Sequence, residues 1–160
     1  MSAAQCVQKN SAEEIIRTIE SHNIDRGKIS IEITETALVF GEDIVADNLQ
    51  KLHDAGMLIC LDDYGTGYSN TRRIMDLPLD IVKLDKSFFD DYENEKVHRL
   101  IQGTIRMLRA ESVHIVAEGV ETEPVLNMLK DCGCELIQGY YFAKPMPRKD
   151  FEKFVQEYTV

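Results

Sequence analysis

The chain has 160 residues and a net charge of −10 at neutral pH, with 44% hydrophobic and 29% charged residues. This length predicts a single domain over residues 1–160, and the composition predicts a globular chain with a hydrophobic core. The negative charge argues against non-specific binding to a nucleic-acid polymer or to an anionic membrane. It does not exclude an anionic ligand, because a bound metal ion inverts the local charge of a site.

The four cysteines are Cys6, Cys60, Cys132 and Cys134. Their spacing lacks the two-residue gap of common zinc and redox motifs, and no second pair completes a zinc site. We therefore expect reduced thiols in a cytoplasmic protein, with Cys60 in the core. The chain has no apolar signal core and no run near 18 apolar residues, so we expect no membrane span.

Taken in chain order, the sequence predicts helices that alternate with strands. Residues 1–8 carry little signal, and Ser11 has the features of a helix cap. Helical patterns occupy residues 11–22, 42–55, 70–76, 94–109, 121–130 and 149–158. Strand patterns occupy residues 29–35, 58–62, 81–85, 113–118 and 135–138. Such alternation predicts an α/β fold in which right-handed βαβ units build a parallel sheet.

One stretch, residues 62–70, combines two adjacent carboxylates with a glycine-rich turn directly after the second predicted strand. Asp62 and Asp63 repel each other unless a cation lies between them, and a divalent metal is the usual cation. The alternative is that the pair only caps a helix and forms a turn. The Gly65-Thr66-Gly67 loop lacks a nucleotide-binding fingerprint; it suits a flexible βα loop or a lid that senses ligand.

Polar side chains recur near the carboxyl ends of the predicted strands. These residues are Glu32, Asp62 with Asp63, Lys83, Glu118 and Gln138. Active sites of parallel α/β folds lie at this edge of the sheet, so we expect the side chains to converge. Taken singly, Glu32 is consistent with an ordinary surface charge, and Lys83 with Glu118 is consistent with a pair across neighbouring strands.

Carboxylate and carboxamide oxygens are ligands suited to Mg²⁺ or Mn²⁺. Two such ions about 4 Å apart are a standard device for phosphodiester hydrolysis, with a lysine nearby to orient water or stabilise charge on the phosphate. The aromatic residues Tyr140, Tyr141 and Phe142 suit either stacking on a base or core packing, and we favour core packing for Phe142.

At these residues the sequence resembles the EAL family, the cyclic di-GMP phosphodiesterases of bacterial signalling. The blocks that carry the resemblance are Glu32 to Glu35, Asp62 to Ser69, Val82 to Phe88, Val116 to Thr122 and Gln138 to Pro145. The resemblance implies a modified (β/α)₈ barrel of the TIM type. It also implies hydrolysis of cyclic di-GMP to the linear dinucleotide pGpG.

The resemblance further implies a role for each matching residue. Metal ligation is implied for Glu32, Asp62, Asp63 and Glu118, with Asp62 bridging two ions and Gln138 approaching one. Lys83 would hold the attacking water and act with Glu118 and the metals in catalysis. Glu35 would support the loop after Asp63. The residues that would line the ligand pocket are Asp85, Glu121, Tyr141 and Pro145.

Parts of the family pattern are absent from this sequence. It contains no Glu-Ala-Leu tripeptide, whose glutamate is a metal ligand in the family, and no early strand with an asparagine ligand. A barrel of this type needs roughly 250 residues, so we expect a partial barrel that resembles the C-terminal two-thirds of the domain. We expect impaired catalysis and self-association through open sheet edges; the alternative to self-association is that the helix over residues 11–22 folds over the gap. The resemblance is compatible with sensor or GGDEF domains upstream in a parent protein. The alternative is a non-catalytic remnant that binds a partner protein or, weakly, cyclic di-GMP.

Overall fold

In a computed structural model, which describes residues 1, 3–39, 42–66 and 74–158, five parallel strands form one open sheet. The strands are β1 (Ser30–Thr34), β2 (Leu58–Tyr64), β3 (Ile81–Leu84), β4 (His114–Ala117) and β5 (Leu136–Ile137). Each strand pairs with the next one in the chain, so the spatial order equals the sequence order. The predicted parallel α/β architecture is confirmed.

Helices connect the strands and precede and follow them. They are α1 (Ala3–Cys6), α2 (Ser11–Ser21), α3 (Glu42–Asp54), α4 (Glu95–Ala110), α5 (Glu123–Asp131) and α6 (Arg148–Tyr158). Three 3₁₀ segments cover Arg26–Lys28, Glu35–Val39 and Lys86–Phe88. Asn94 caps α4 with a hydrogen bond from the Lys96 N–H at 3.0 Å, as its position before an apolar helical stripe predicts.

Two details of the helices differ from the sequence-based expectations, and a third expectation falls mostly outside the described residues. The short helix α1 was not predicted, because four residues carry too little periodicity to be recognised. Ser11 is the first residue of α2 rather than its cap; Asn10 precedes it without a side-chain capping bond. Most of the helix predicted over residues 70–76 lies outside the described residues, since the description resumes at residue 74.

The two faces of the sheet differ in burial because strand side chains alternate between them. One face is covered by helices and contains Ile33, Ile59, Leu61, Val82 and Leu84, all without solvent exposure. The helices contribute buried residues to the same core, among them Leu49, Leu52, Ile101, Ile105 and Leu108. The opposite face carries the polar strand residues, which the alternation therefore gathers on one side.

That opposite face is incompletely covered. Leu58 and Leu136 are 38% and 47% exposed on it. The edge strand β5 is only two residues long, and α6 beside it has no buried residue and exposes Phe151, Val155 and Tyr158. On the other edge, the amino group of Met1 donates a hydrogen bond to the Glu32 carbonyl. Among the described residues, no helix is both long and apolar enough to cross a membrane.

Candidate functional site

The site is centred on the ammonium group of Lys83, which three carboxylates surround. Lys83 Nζ lies 3.1 Å from Glu32 Oε1, 3.1 Å from Asp62 Oδ1 and 2.8 Å from Glu118 Oε1. These four residues come from β1, β2, β3 and the residue directly after β4. The predicted convergence of strand-borne groups is therefore observed for these four, although Glu32 lies in the middle of β1 rather than at its end.

A local irregularity explains how two adjacent aspartates belong to one site. Leu61 pairs with Val82 and Tyr64 pairs with Leu84, so β2 has two residues where β3 has one. This is a β-bulge opposite Lys83, and it interrupts the alternation that would otherwise send Asp62 and Asp63 to opposite faces. Asp63 has a φ of 57°, in the left-handed region that Asp tolerates better than most residues.

Electrostatics in the cluster favour a charged lysine. Burial lowers the pKa of Lys83, but hydrogen bonds to Glu118, Asp62 and Glu32 outweigh this effect and raise the pKa above its ordinary value. The side chain is only 14% exposed, so its three partners are its main replacement for water. Lys83 is therefore an ammonium at neutral pH and a hydrogen-bond donor, with no lone pair to act as a base.

For Asp63, by contrast, a raised pKa disfavours the charged form of the side chain. Burial raises the pKa of its carboxyl, and the negative charges of Asp62, Asp85 and Glu35 raise it further. One ammonium thus does not neutralise the acids gathered here. An additional cation would relieve this repulsion, because it would favour the ionised form of each neighbouring carboxylate.

The loop after Asp63 is tied to the preceding 3₁₀ segment through Glu35. The Thr66 hydroxyl lies 3.1 Å from Glu35 Oε2 and 3.1 Å from the Asp63 carbonyl. Glu35 is 2% exposed. Gly65 packs on Phe88, since a Cβ at this position would lie 2.5 Å from the ring and its φ of 105° suits glycine. The beginning of the loop, at residues 65 and 66, is thus held by contacts with Phe88 and Glu35.

Asp85 directly follows β3 and is held by Ser87. Asp85 Oδ1 accepts hydrogen bonds from the Ser87 hydroxyl at 2.5 Å and the Ser87 N–H at 2.9 Å. These bonds lower the pKa of Asp85. Ser87 and Thr66 were not predicted from the sequence as supporting residues. The Asp-x-Ser turn pattern was a usable signal for Ser87.

Cys60 is buried as predicted, yet it lies beside the acidic cluster. It is 1% exposed and pairs with Glu32 in the register of β1 and β2. Burial raises the pKa of its thiol to about 12, and the charges of Lys83 and the surrounding carboxylates act on it. The thiol is therefore protonated at neutral pH and contributes volume rather than charge.

The remaining site residues predicted from the resemblance do not join the Lys83 cluster in the described contacts. The register places Gln138 next to Glu118, but its side chain is exposed and lines an open cleft of 480 Å³ with Pro145, Lys144 and Phe151. Pro145 and Glu121 are exposed.

The three aromatic residues after Gly139 differ in burial. Tyr140 and Tyr141 are 57% and 40% exposed, whereas Phe142 packs against the core. Tyr141 contacts Phe142 edge to face with ring centroids 5.3 Å apart. Gly139 fits where it is because a Cβ would lie 2.0 Å from the Val120 carbonyl oxygen. The predicted core packing of Phe142 is confirmed, whereas the two tyrosine rings are exposed and the Lys144 ammonium lies 5.6 Å from the centroid of the Tyr140 ring.

The donor set fits a divalent cation by its chemistry. Four carboxylates supply hard oxygen ligands of the kind that Mg²⁺ and Mn²⁺ prefer. Within the described ranges, however, no three His, Cys, Asp or Glu side chains are arranged to hold a metal ion directly. The Lys83 ammonium instead lies where Glu32, Asp62 and Glu118 converge.

Comparison with known proteins gives consistent matches. The sequence model of one protein family, described as EAL domain, matches residues 1–145. The cyclic di-GMP phosphodiesterase NbdA of Pseudomonas aeruginosa is 35% identical over 147 residues, which cover 91% of this chain and 19% of NbdA. The chain thus spans about a fifth of the length of this curated relative.

Solved structures share the fold. The EAL domain of Mycobacterium smegmatis DcpA matches with a TM-score of 0.88 and 30% identity, covering 100% of this chain and 72% of that one. A structure described as PaMucR phosphodiesterase in complex with c-di-GMP matches with a TM-score of 0.85 and 28% identity, covering 94% of this chain and 62% of that one. The predicted partial TIM-type barrel is confirmed, because the whole chain superposes on part of a longer domain.

Replacing Lys83 with methionine should lower the free energy of unfolding at pH 7 by about 1–3 kcal/mol, since three carboxylates would face one another without a cation. This is less than for a fully buried pair because the Glu32 side chain is 51% exposed. The raised pKa of Lys83 means that its contribution is complete at pH 7 and is lost only at alkaline pH. Urea unfolding of the wild type and the variant at pH 7 would measure this difference in stability.

Lys153→Met is the matched control, because Lys153 forms an exposed pair with Glu157 at 3.7 Å on α6. It should change stability little at pH 7. Equal losses of stability in the two variants would contradict this description of the cluster.

Proposed function

The chain belongs to the EAL domain family, and on that premise we propose that it carries the main part of a two-metal phosphodiesterase site that opens cyclic di-GMP to linear pGpG. The observation that carries the proposal is the convergence of Glu32, Asp62 and Glu118 on Lys83. The names of relatives support the substrate, because NbdA is a cyclic di-GMP phosphodiesterase and the MucR structure is a c-di-GMP complex.

Mg²⁺ or Mn²⁺ would be held by the carboxylates of Glu32, Asp62, Asp63 and Glu118. The Gln138 amide, beside Glu118 in the register, would approach the same position after its exposed side chain turns inward. When bound, the ions would lower the pKa of a water molecule and neutralise charge that develops on the phosphate. The raised pKa of Asp63 supports this assignment, because burial and the neighbouring negative charges of Asp62 and Asp85 disfavour its ionised form, which a bound cation would stabilise.

Lys83 would act in this site as a charged donor. Its ammonium would hold the oxygen of the attacking water or stabilise a phosphate oxygen, since its raised pKa keeps it protonated. A carboxylate would then accept the proton of the attacking water. Glu118 is the carboxylate nearest to the Lys83 ammonium, with Oε1 2.8 Å from Nζ. A positioned carboxylate within hydrogen-bond reach of the water is what general-base catalysis requires.

The residues around this centre would position the ligand. Glu35 would hold the loop after Asp63 through Thr66, and Asp85 would be kept ionised and fixed by Ser87. The exposed ring of Tyr141 would stack on a guanine base. Glu121 and Pro145, both exposed, would complete the wall of the pocket.

This chain by itself should be a poor catalyst. Its sequence has no Glu-Ala-Leu tripeptide, and the sheet remains open on the face that carries the acids. A second candidate function is therefore a non-catalytic module that binds a partner protein or, weakly, cyclic di-GMP. The position of Lys83 favours this candidate, because its ammonium lies where the carboxylates converge.

The wider context is also part of the proposal. All four cysteines are free and buried, which suits the reducing cytoplasm. Sensor or GGDEF domains would accompany the site in a longer protein, since the match covers 19% of NbdA. The open edges of the sheet, the exposed Leu58 and Leu136 and the apolar side chains on α6 would promote association between chains.

We expect the purified chain with Mn²⁺ to hydrolyse cyclic di-GMP no faster than its Asp62→Ala variant, because the site lacks two family ligands. Chromatographic detection of pGpG would measure the rate. Turnover that Asp62→Ala abolishes would refute the impairment and establish the phosphodiesterase activity directly.

Binding without turnover separates the two candidate functions. Calorimetry with cyclic di-GMP in Ca²⁺ should detect binding that Asp62→Ala weakens if the ligand site is retained. An absence of both binding and turnover would reject a retained nucleotide site and leave only the protein-interaction candidate.

Light scattering coupled to size-exclusion chromatography should show that the mean mass of the chain rises with concentration above that of one chain. Burial of an open edge and of exposed apolar side chains is the reason for this expectation. Leu136→Lys, which places a charge on the edge strand β5, should shift the mass toward that of a monomer. A constant monomer mass at all concentrations would reject self-association.

A further inference from the structure

Three soft ligand atoms lie together in the helical layer, on the opposite side of the sheet from the Lys83 cluster. Cys132 Sγ is 3.7 Å from His98 Nε2 and 3.8 Å from Met128 Sδ. Cys132 and Met128 are 5% and 7% exposed, and His98 is half-buried. The proposed phosphodiesterase chemistry uses none of these residues.

The local structure explains why the three side chains meet. Met128 lies in α5 and Cys132 is the residue directly after the helix, so the i and i+4 positions share one helix face. Gly133, with a φ of 88°, turns the chain after Cys132. His98 lies in the first half of α4, whose apolar face packs in the same core. Both helices are thus anchored near the cluster.

We propose that Cys132, Met128 and His98 form a three-coordinate binding site for Cu(I). Thiolate, thioether and imidazole together are the ligand set that selects this soft ion. Three ligands at ~2.0–2.3 Å from a metal and about 120° apart are separated from one another by about 3.5–4.0 Å. The distances from Cys132 Sγ to His98 Nε2 and Met128 Sδ, 3.7 and 3.8 Å, lie in this range. Binding would form the Cu–S bond and release the thiol proton of Cys132 to solvent.

The same geometry argues against other occupants. Structural zinc sites have four ligands drawn from Cys, His, Asp and Glu, and a thioether is not among them. A Cys132–Cys134 dithiol is also disfavoured, because the Cys134 thiol is directed at the carbonyl oxygens of Leu136, at 3.4 Å, and Ile115, at 3.8 Å. The half-buried His98 ring leaves a short path from solvent to the cluster.

The test is competition for Cu(I) between the reduced full-length chain and the chelator bicinchoninate under anaerobic conditions. We expect one Cu(I) per chain. Cys132→Ser and His98→Gln should each weaken binding by about 100-fold or more, since outer-shell changes alone cost ~10–100-fold. Met128→Leu, which keeps the volume, should weaken binding less. Cys134→Ser is the matched control, two residues from Cys132, and should leave the affinity unchanged.

X-ray absorption at the copper edge should show two sulfur ligands and one nitrogen ligand, and the nitrogen should be lost in His98→Gln. Far-UV circular dichroism checks that each variant folds. If Cys132→Ser unfolds, the affinities of His98→Gln and Met128→Leu for Cu(I) test the proposal instead. Failure of the chain to retain Cu(I) against the chelator would overturn the proposal. Retention unchanged in these variants, or lost equally in Cys134→Ser, would overturn it as well.

Discussion

The ion cluster at Lys83 is the interaction on which the candidate site depends. A single ammonium holds carboxylates from β1, β2 and the end of β4 within 3.1 Å. Without that cation, the parallel sheet would bring like charges together on one face, at a cost that increases with burial. The cluster therefore links the topology of the sheet to the chemistry of the site. Any ion that enters must take over part of the role that Lys83 performs.

The bulge in β2 places two adjacent aspartates opposite Lys83, whereas a regular strand would place one residue there. It places Asp62 and Asp63 opposite one β3 residue, and Asp63 accepts a left-handed backbone to stay there. Such strain, of about 1–3 kcal/mol, persists only where surrounding structure holds it. Thr66 and Glu35 provide that support directly after the bulge. The strained turn and its support thus belong to the same site.

The two faces of the sheet differ in how completely they are covered. The helix-covered face is fully packed, whereas the face with the acids leaves Leu58 and Leu136 exposed. In longer relatives the matching region is part of a larger chain, of which this sequence covers 72% in the DcpA domain. The proposed impairment of catalysis rests on the absence of the Glu-Ala-Leu tripeptide, and the proposed association between chains rests on this uncovered face.

Strand positions and the convergence of acids could be predicted from the sequence, because period-two alternation and polar strand ends are local signals. The bulge could not, since one extra residue in β2 is defined only by its pairing with β3. The direction of the Gln138 side chain also depends on neighbours that the local sequence does not specify. The contact between His98 and Cys132 joins residues 34 positions apart, and a local sequence pattern cannot predict a contact over that separation.

The central claim is that the acids around Lys83 form a site for a divalent cation. Electron paramagnetic resonance of Mn²⁺ measures this directly, because bound ions lose the sharp signal of the free ion. Titration of the wild-type chain with millimolar Mn²⁺ should reveal bound metal, and Asp62→Asn, which keeps the shape of the side chain, should remove most of it. Binding that is absent in the wild type, or equal in both proteins, would contradict the claim.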